Sequence, residues 1–181
     1  MTFDDIADSK RYWQMLGRRP TAVPVITSRD EGGPAGFLAL SVAHVTSSPP
    51  SMSVAVAKST SALATIRNSG LFAINYLPSH AAGTADIFGG RSGLNGAERF
   101  AANDWDLIGS GPPKFRYALL IINCTVDKIF TYHETEIVIG RLVDCVAEED
   151  ATPLLSFRGK YVGWSGSADQ GEMNTISPLA G

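Results

Sequence analysis

The sequence predicts a mainly β fold: an antiparallel barrel of about six or seven strands with short flanking helices. Three observations lead there. Short apolar runs recur with turn residues between them, and their order lacks the regular strand–helix alternation of a parallel sheet. Residues 51–58 alternate. Met52, Val54 and Val56 are large and apolar, whereas Ser51, Ser53, Ala55 and Ala57 are small, which marks a strand with one bulky face and one nearly bare face. Leu120, Ile122, Cys124 and Val126 repeat that period of two in a long late strand. A closed barrel is the expectation.

Residues 3–16 place Phe3, Ile6, Trp13 and Leu16 at roughly helical intervals with charges between, so an amphipathic helix lying on the body is predicted. The run TAVPVIT at residues 21–27 is strand-like but interrupted by Pro24, whose missing N–H predicts an edge or a bulge. Asp30-Glu31-Gly32-Gly33-Pro34 is a turn. Residues 36–61 read as two strands hinged at Pro49-Pro50 and running into a helix at about 61–69, with a Ser/Thr cap at its start and Gly70 at its end. LFAINYL at residues 71–77 predicts another strand, and residues 80–88 a short helix. The glycine-rich GGRSGLNGAERF follows, able to bend close to a ligand, and GSGPP at residues 109–113 is a further turn. Two long strands, about 117–130 and 135–147, are joined near Tyr132-His133-Glu134, and residues 153–157 and 159–164 complete the sheet. A single domain over residues 1–164 and a polar tail over residues 165–181 are expected, with no internal repeat.

A chain of 181 residues can bury a full core without disulfides or a metal. Its formal net charge of −3 argues against a nucleic-acid partner held by general electrostatics. Cys124 and Cys145 are far apart and outside any CxxC pattern, so both are expected as core thiols in a reducing compartment. The N-terminal stretch is acidic at first, and no run approaches the ~20 apolar residues of a spanning helix, which points to a cytoplasmic protein with no membrane partner. His44, His80 and His133 lack metal-ligand spacing, so no metal is expected. The glycine-rich loop has no GK[ST] ending, no GxGxxG occurs, and Gly163-Trp164-Ser165-Gly166-Ser167 lacks the last glycine of a nucleophile elbow. His133-Glu134-Thr135-Glu136 is expected as a solvated hairpin tip, and Phe88 and Trp105 as core residues.

The chemistry is expected around residues 36–61. A bare strand face admits either a closely packed helix or something flat lying against the backbone. Lys58, Ser59, Thr60 and Ser61 come just before the predicted helix, where unpaired N–H groups, hydroxyls and an ammonium would suit an anion. A flat ring with a phosphate at a helix start has the shape of a nucleotide cofactor.

An ordered series of short motifs runs through the same region and beyond. It begins with Arg19-Pro20-Thr21-Ala22-Val23 and Val25-Ile26-Thr27, continues with Gly36, Ser41, Val45 and Pro49-Pro50, and then with Lys58-Ser59-Thr60-Ser61. Residues 69–77 (SGLFAINYL), Phe88, Arg99-Phe100, Trp105, Gly111, Pro113, Cys124, Ile139-Gly140 and residues 158–161 (RGKY) follow. In this order and spacing the sequence resembles the flavin reductase-like, FMN-binding split-barrel family, which supplies reduced flavin to two-component monooxygenases.

The resemblance implies an FMN-binding split β-barrel and an NAD(P)H-dependent flavin reductase. It would use FMN or FAD with NADH or NADPH, form a homodimer and serve a partner monooxygenase. Carried over by position, Leu38, Ala39, Leu40 and Ser41 would face the flavin phosphate and ribityl chain, Ala55, Val56 and Ala57 the ring edge, and Ser59, Thr60 and Ser61, with Lys58, the phosphate. Phe88 and Arg91 join the cofactor-binding set, and Arg158, Gly159, Lys160 and Tyr161 form the nicotinamide side. The sequence departs from the family in two places. Leu38 and Leu40 stand where the family has hydroxyl residues, and Thr135 stands where it has the histidine that meets the nicotinamide, with His133 two residues early. A reductase of another acceptor, such as the cobalt of a corrinoid, or a barrel that holds flavin or haem without turnover, are the alternative readings. No catalytic acid or base is expected, because the redox chemistry belongs to the cofactor and the protein's task is to position it.

Overall fold

The computed structural model describes residues 9–163. The chain enters on α1 (Ser9–Leu16); the earlier start expected for this helix, and the polar tail, lie outside the described residues. β1 (Thr21–Ala22) and β2 (Pro24–Asp30) are consecutive yet belong to different sheets. Val23 is the pivot, its amide donating to the Leu154 carbonyl at 3.2 Å while its own carbonyl accepts from Leu77 at 3.0 Å. Pro24 is therefore neither at an edge nor in a bulge, as expected from its missing donor. It is the first residue of an internal strand, a position where a prolyl nitrogen forfeits no ladder bond.

β3 (Gly33–Leu38), β4 (Val42–Ser47), β5 (Pro50–Ala57), α2 (Ala62–Ser69) and β6 (Leu71–Tyr76) follow, then α3 (Ala82–Phe88) and a 3₁₀ turn at Gly96–Phe100. β7 (Trp105–Asp106) and β8 (Lys114–Phe115) make a small separate pair. The long hairpin β9 (Leu120–Tyr132) and β10 (Thr135–Ala147) precedes β11 (Leu154–Phe157) and β12 (Lys160–Gly163). The main sheet is antiparallel, seven strands in the order β3-β2-β6-β9-β10-β5-β4. β11 and β12 do not complete it. With β1 they form a separate three-stranded sheet in the order β1-β11-β12, because Val23 hands the chain across.

β3 and β4 lie at opposite edges of the seven strands, yet only residues 39–41 separate them in the chain. A flat sheet of this width would hold its edges about 29 Å apart, whereas the four Cα steps from Leu38 to Val42 reach at most about 15 Å. The sheet must therefore curl until its edges nearly meet. The edges themselves do not pair; residues 39–41 bridge them instead. The Ala39 amide donates to the Pro24 carbonyl of β2 at 3.0 Å, and the Ala55 amide of β5 donates to the Ser41 carbonyl at 3.3 Å. The expected closed barrel is thus a split one, and the strand expected before Pro49 is broken into the end of β3 and the whole of β4.

Val54, Val56, Ile26, Phe72, Ile74, Cys124 and Val138 fill the interior, with Leu63 and Ile66 of α2 plugging it. The large residues of β5 point inward, as its period of two requires. Gly70 ends α2 in the left-handed conformation, but Ser61 at its start has helical angles and makes no side-chain cap, so the expected Ser/Thr cap is absent. Outside the barrel, Phe88, Phe100, Trp105 and Phe115 form an aromatic cluster with successive ring centroids 5.0–5.1 Å apart, placing Phe88 and Trp105 in the core.

Two expectations about polar groups are corrected. Glu136 is 3% exposed rather than at a solvated tip, because it shares the inner face of β10 with Val138 and Gly140. Its carboxylate meets an Arg67 guanidinium nitrogen of α2 at 3.0 Å and accepts from the Thr131 hydroxyl at 3.2 Å. Cys145 is exposed rather than a core thiol, whereas Cys124 is buried and burial, aided by Asp144, pushes its thiol up to about 12, so it stays protonated and unreactive.

Gly140 offers a stability test. A Cβ there would run into the Phe72 ring and lie 2.8 Å from the Cys124 Cβ. Gly140→Ala is expected to destabilise the fold by about 1–3 kcal/mol through overpacking, read as a lower urea midpoint with an unchanged slope.

Candidate functional site

A cavity of about 630 Å³ opens on the bare face of β5, beside the segment that spans the split. That volume lies within the roughly 300–1,000 Å³ usual for cofactor and small-ligand sites. Ala55 and Ala57 form its floor, and Phe37, Leu38, Ala39, Leu40 and Ser41 the adjoining wall. The lead-in to α2 contributes Thr60, the end of α3 contributes Phe88, Gly89 and Arg91, and the small sheet contributes Ser156, Gly159 and Tyr161. α1 closes another side with Tyr12, Trp13 and Leu16, followed by Gly17, Arg19 and Thr21.

Local geometry explains several of these placements. The Ser41 hydroxyl donates to the Ala55 carbonyl at 3.0 Å, locking the spanning segment to the floor. A Cβ on Gly89 would lie 2.9 Å from the Ala85 carbonyl and 3.5 Å from Leu38, so only glycine lets α3 end this close to the wall. Arg91 pairs with Asp86 at 2.9 Å and sets its guanidinium 5.3 Å above the Tyr161 ring. Burial raises the Tyr161 phenol above its ordinary value, with Arg91 opposing and Asp86 adding to the shift, so the hydroxyl stays a proton donor. Among the described residues, the Arg19 side chain has no ion-pair or hydrogen-bond partner, and nothing accepts from the Leu40 or Ser41 amides. An apolar floor bordered by a cation and free amide donors suits a flat ring that carries an anionic group.

Residues 16–165 match the flavin reductase like domain. The chain belongs to that family. Among its relatives is the reductase subunit HsaB of a flavin-dependent monooxygenase from Rhodococcus jostii, 30% identical over 156 residues, which span 86% of this chain and 78% of that one. An FMN reductase (NADH), RutF 1, from Methylorubrum extorquens is 34% identical over 154 residues, covering 85% of this chain and 75% of the relative. The fold matches the Streptomyces globisporus NADH:FAD oxidoreductase SgcE6, solved in complex with NAD and FAD fragments. There the TM-score is 0.83, with 22% identity, 93% of this chain covered and all of that one.

Against the family's site, the structure sorts the residues carried over by position. Leu38, Ala39, Leu40, Ser41, Ala55, Ala57, Thr60, Phe88, Arg91, Gly159 and Tyr161 line the one cavity. Val56 does not; it is 1% exposed and points into the barrel, as the alternate residue of β5 must. Lys58, Ser59 and Ser61 are exposed but form none of the wall, and the Lys58 amide is taken by the Glu134 carbonyl at 3.0 Å. Only Thr60 of that run faces the cavity, so the anion site expected at the start of α2 is not assembled there. Lys160 is exposed away from the wall, and Arg158 turns into a neighbouring cleft. Thr135, the residue that the resemblance sets against the family's histidine, pairs directly across from Ala57 and so lies beside the floor. His133 sits at the exposed hairpin tip with φ 48°, stacked edge-on against Tyr132 at 4.5 Å. Sequence reasoning missed Arg19, Thr21, Phe37, Gly89, Ser156 and the α1 wall. Arg19 and Thr21 belong to the first quoted motif and Gly89 to the glycine-rich loop, whereas nothing in α1 announces what it packs against.

Proposed function

We propose that the protein is an NAD(P)H-dependent flavin reductase that delivers reduced FMN or FAD to a partner monooxygenase. The cavity on the small-residue face of β5, in a chain of this family, carries the reading. Its residues fit the group. Ala55 and Ala57 leave room for a planar ring, Leu38 and Leu40 offer apolar contact where the family has hydroxyls, and the phosphate falls to Arg19, Arg91, Thr60 and the free Leu40 and Ser41 amides. A flavin held by these residues would supply the redox chemistry of hydride transfer from reduced nicotinamide. The chain's own work is to hold the two rings together, keep water out with α1 and the α3 end, and stabilise charge with backbone donors. The neutral Tyr161 hydroxyl adds a further donor at the cavity wall.

The test is anaerobic mixing of purified protein with NADH or NADPH and FMN or FAD. Flavin-dependent loss of the reduced nicotinamide's absorbance is expected. A protein that binds flavin yet leaves it oxidised under NADH would instead be a flavin-holding barrel, the reading favoured by Thr135 in the histidine's place.

We infer a homodimer working in the cytoplasm, where nicotinamide and free flavin are supplied. Among the described residues no helix is long and apolar enough to cross a membrane. Val45 on β4 and Phe130, Tyr132, Val143 and Val146 on the β9–β10 hairpin are large apolar groups left exposed, and an isologous pairing would cover such a surface. An obligate pairing buries about 2,000 Å² or more. Light scattering at micromolar concentration is expected to give about twice the 19.2 kDa chain mass; a monomer carrying flavin would refute the dimer.

A further inference from the structure

Trp13, Gly17 and Gly159 line the cavity and also a second cleft of about 700 Å³, completed by Gln14, Arg18 and Arg158. The two chambers therefore share a wall. Backbone hydrogen bonds build it: the Gly17 amide donates to the Trp13 carbonyl at 2.9 Å, and the Gly17 carbonyl accepts from the Arg158 amide at 2.6 Å, tying the end of α1 to the β11–β12 turn. The two backbones touch there, a Cβ on Gly17 lying 3.8 Å from the Gly159 nitrogen, so the partition is only backbone thick at the two glycines.

The outer cleft is cationic and aromatic. Arg158 and Gly159 both have positive φ, 51° and 73°, the geometry of a two-residue hairpin loop in which asparagine usually takes the first place. An arginine held there sets its guanidinium 5.1 Å over the Phe157 ring. Among the described residues neither Arg18 nor Arg158 has a carboxylate partner or a side-chain hydrogen bond. Trp13 is 64% exposed and presents its indole beside them. The neighbours Arg18 and Arg19 divide between the chambers, the first lining the outer and the second the inner, so the junction has a guanidinium on each side.

We propose that the outer cleft binds the adenosine diphosphate portion of a dinucleotide whose reactive ring occupies the inner cavity. This rests on the flavin and nicotinamide reading of that cavity. The pyrophosphate crosses at Gly17 and Gly159, Arg18 and Arg158 take its oxygens through charge-assisted hydrogen bonds, and Trp13 offers a flat face to adenine. FAD and NAD(P)H both carry this group.

The probe is ADP itself, titrated into flavin-free protein by calorimetry, with FMN as the control ligand that lacks the adenylate. Saturable ADP binding is expected. Arg18→Glu should weaken it roughly 10- to 150-fold, the value of a hydrogen bond to a charged group, and Arg158→Asn, which suits the positive φ at that place, should weaken it as well. FMN affinity stays at the wild-type value in both variants, which also reports that they fold. A fall in FAD affinity relative to FMN in Arg18→Glu assigns the cleft to the flavin, and a raised KM for NADH with FMN as acceptor assigns it to the nicotinamide. Absent ADP binding, ADP affinity unchanged by both substitutions, or parallel loss of FMN would overturn the proposal. ADP binding is read without turnover, so an inactive protein that binds ADP through Arg18 refutes only the reductase reading, and an active one that ignores ADP refutes only the cleft.

Discussion

Ala55→Trp is expected to lower flavin affinity on the order of 100-fold or more, about 2.7 kcal/mol, while leaving the fold intact. Ala55 lies between Val54 and Val56, which point into the barrel, so its own side chain points out over the cavity floor. Its backbone is fully engaged, the amide donating to the Ser41 carbonyl and the carbonyl accepting from the Ser41 hydroxyl, with Ile137 opposite in the ladder. None of that depends on the size of the side chain. An indole would occupy the space a planar ring needs, and a ring displaced from about 100 Å² of apolar contact forfeits about 2.5 kcal/mol. Ala55→Ser, which keeps the face bare, should bind as the parent does. Titration of FMN checks the affinities, and thermal unfolding checks that both variants fold. Unchanged affinity in the tryptophan variant would mean that the ring lies elsewhere than on β5.

The floor was legible in the sequence because a strand writes its two faces into alternate positions, and residues 51–57 keep that alternation without a break. What joins the floor to its walls was not. The split between β3 and β4 depends on how far the whole sheet curls, a property that no local run of residues carries. Pro24 reads as an edge signal because a missing donor marks an edge when the chain stays in one sheet, whereas here the chain changes sheets at Val23. Val56 and Glu136 show opposite failures of the same rule. Val56 is expected at the ring edge by position although its period points it inward, and Glu136 is expected in solvent for its charge although its period also points it inward. There its carboxylate is met by Arg67, far away in sequence on α2. The α1 wall is the hardest case, since an amphipathic helix records that one side is covered and not by what.

Asn75→Leu carries the largest expected loss of stability, about 3–5 kcal/mol. Asn75 is fully buried on β6, and its amide group joins three parts of the molecule. Its Nδ2 donates to the Val25 carbonyl at 3.2 Å and to the Thr27 hydroxyl oxygen at 3.1 Å, and its Oδ1 accepts from the Phe115 amide at 2.9 Å. The Thr27 hydroxyl in turn donates to the Pro113 carbonyl at 2.6 Å. Leucine has the same branched shape but a larger volume, so no cavity forms and crowding adds to the loss, while the Phe115 N–H is left in an apolar interior with no acceptor. That orphaned donor costs about 1–3 kcal/mol, and the two lost Nδ2 bonds add roughly 0.5–1.5 kcal/mol each. Thr27→Val, which removes the hydroxyl bond to Pro113 and the acceptor for one Nδ2 bond, should cost less than Asn75→Leu. The double substitution should cost less than the sum, because both changes break the Asn75–Thr27 bond. Urea unfolding of the three variants measures this cycle. The consequence reaches the cavity, since Phe115 packs on Trp105 and Trp105 on Phe88, one of the aromatic residues at the cavity wall. Asn75→Leu protein that remains folded should therefore bind flavin more weakly, without any change to a residue that lines the site. A loss of less than about 1 kcal/mol would show that the Phe115 amide finds another acceptor, and that the loop at residues 113–115 is not held through Asn75.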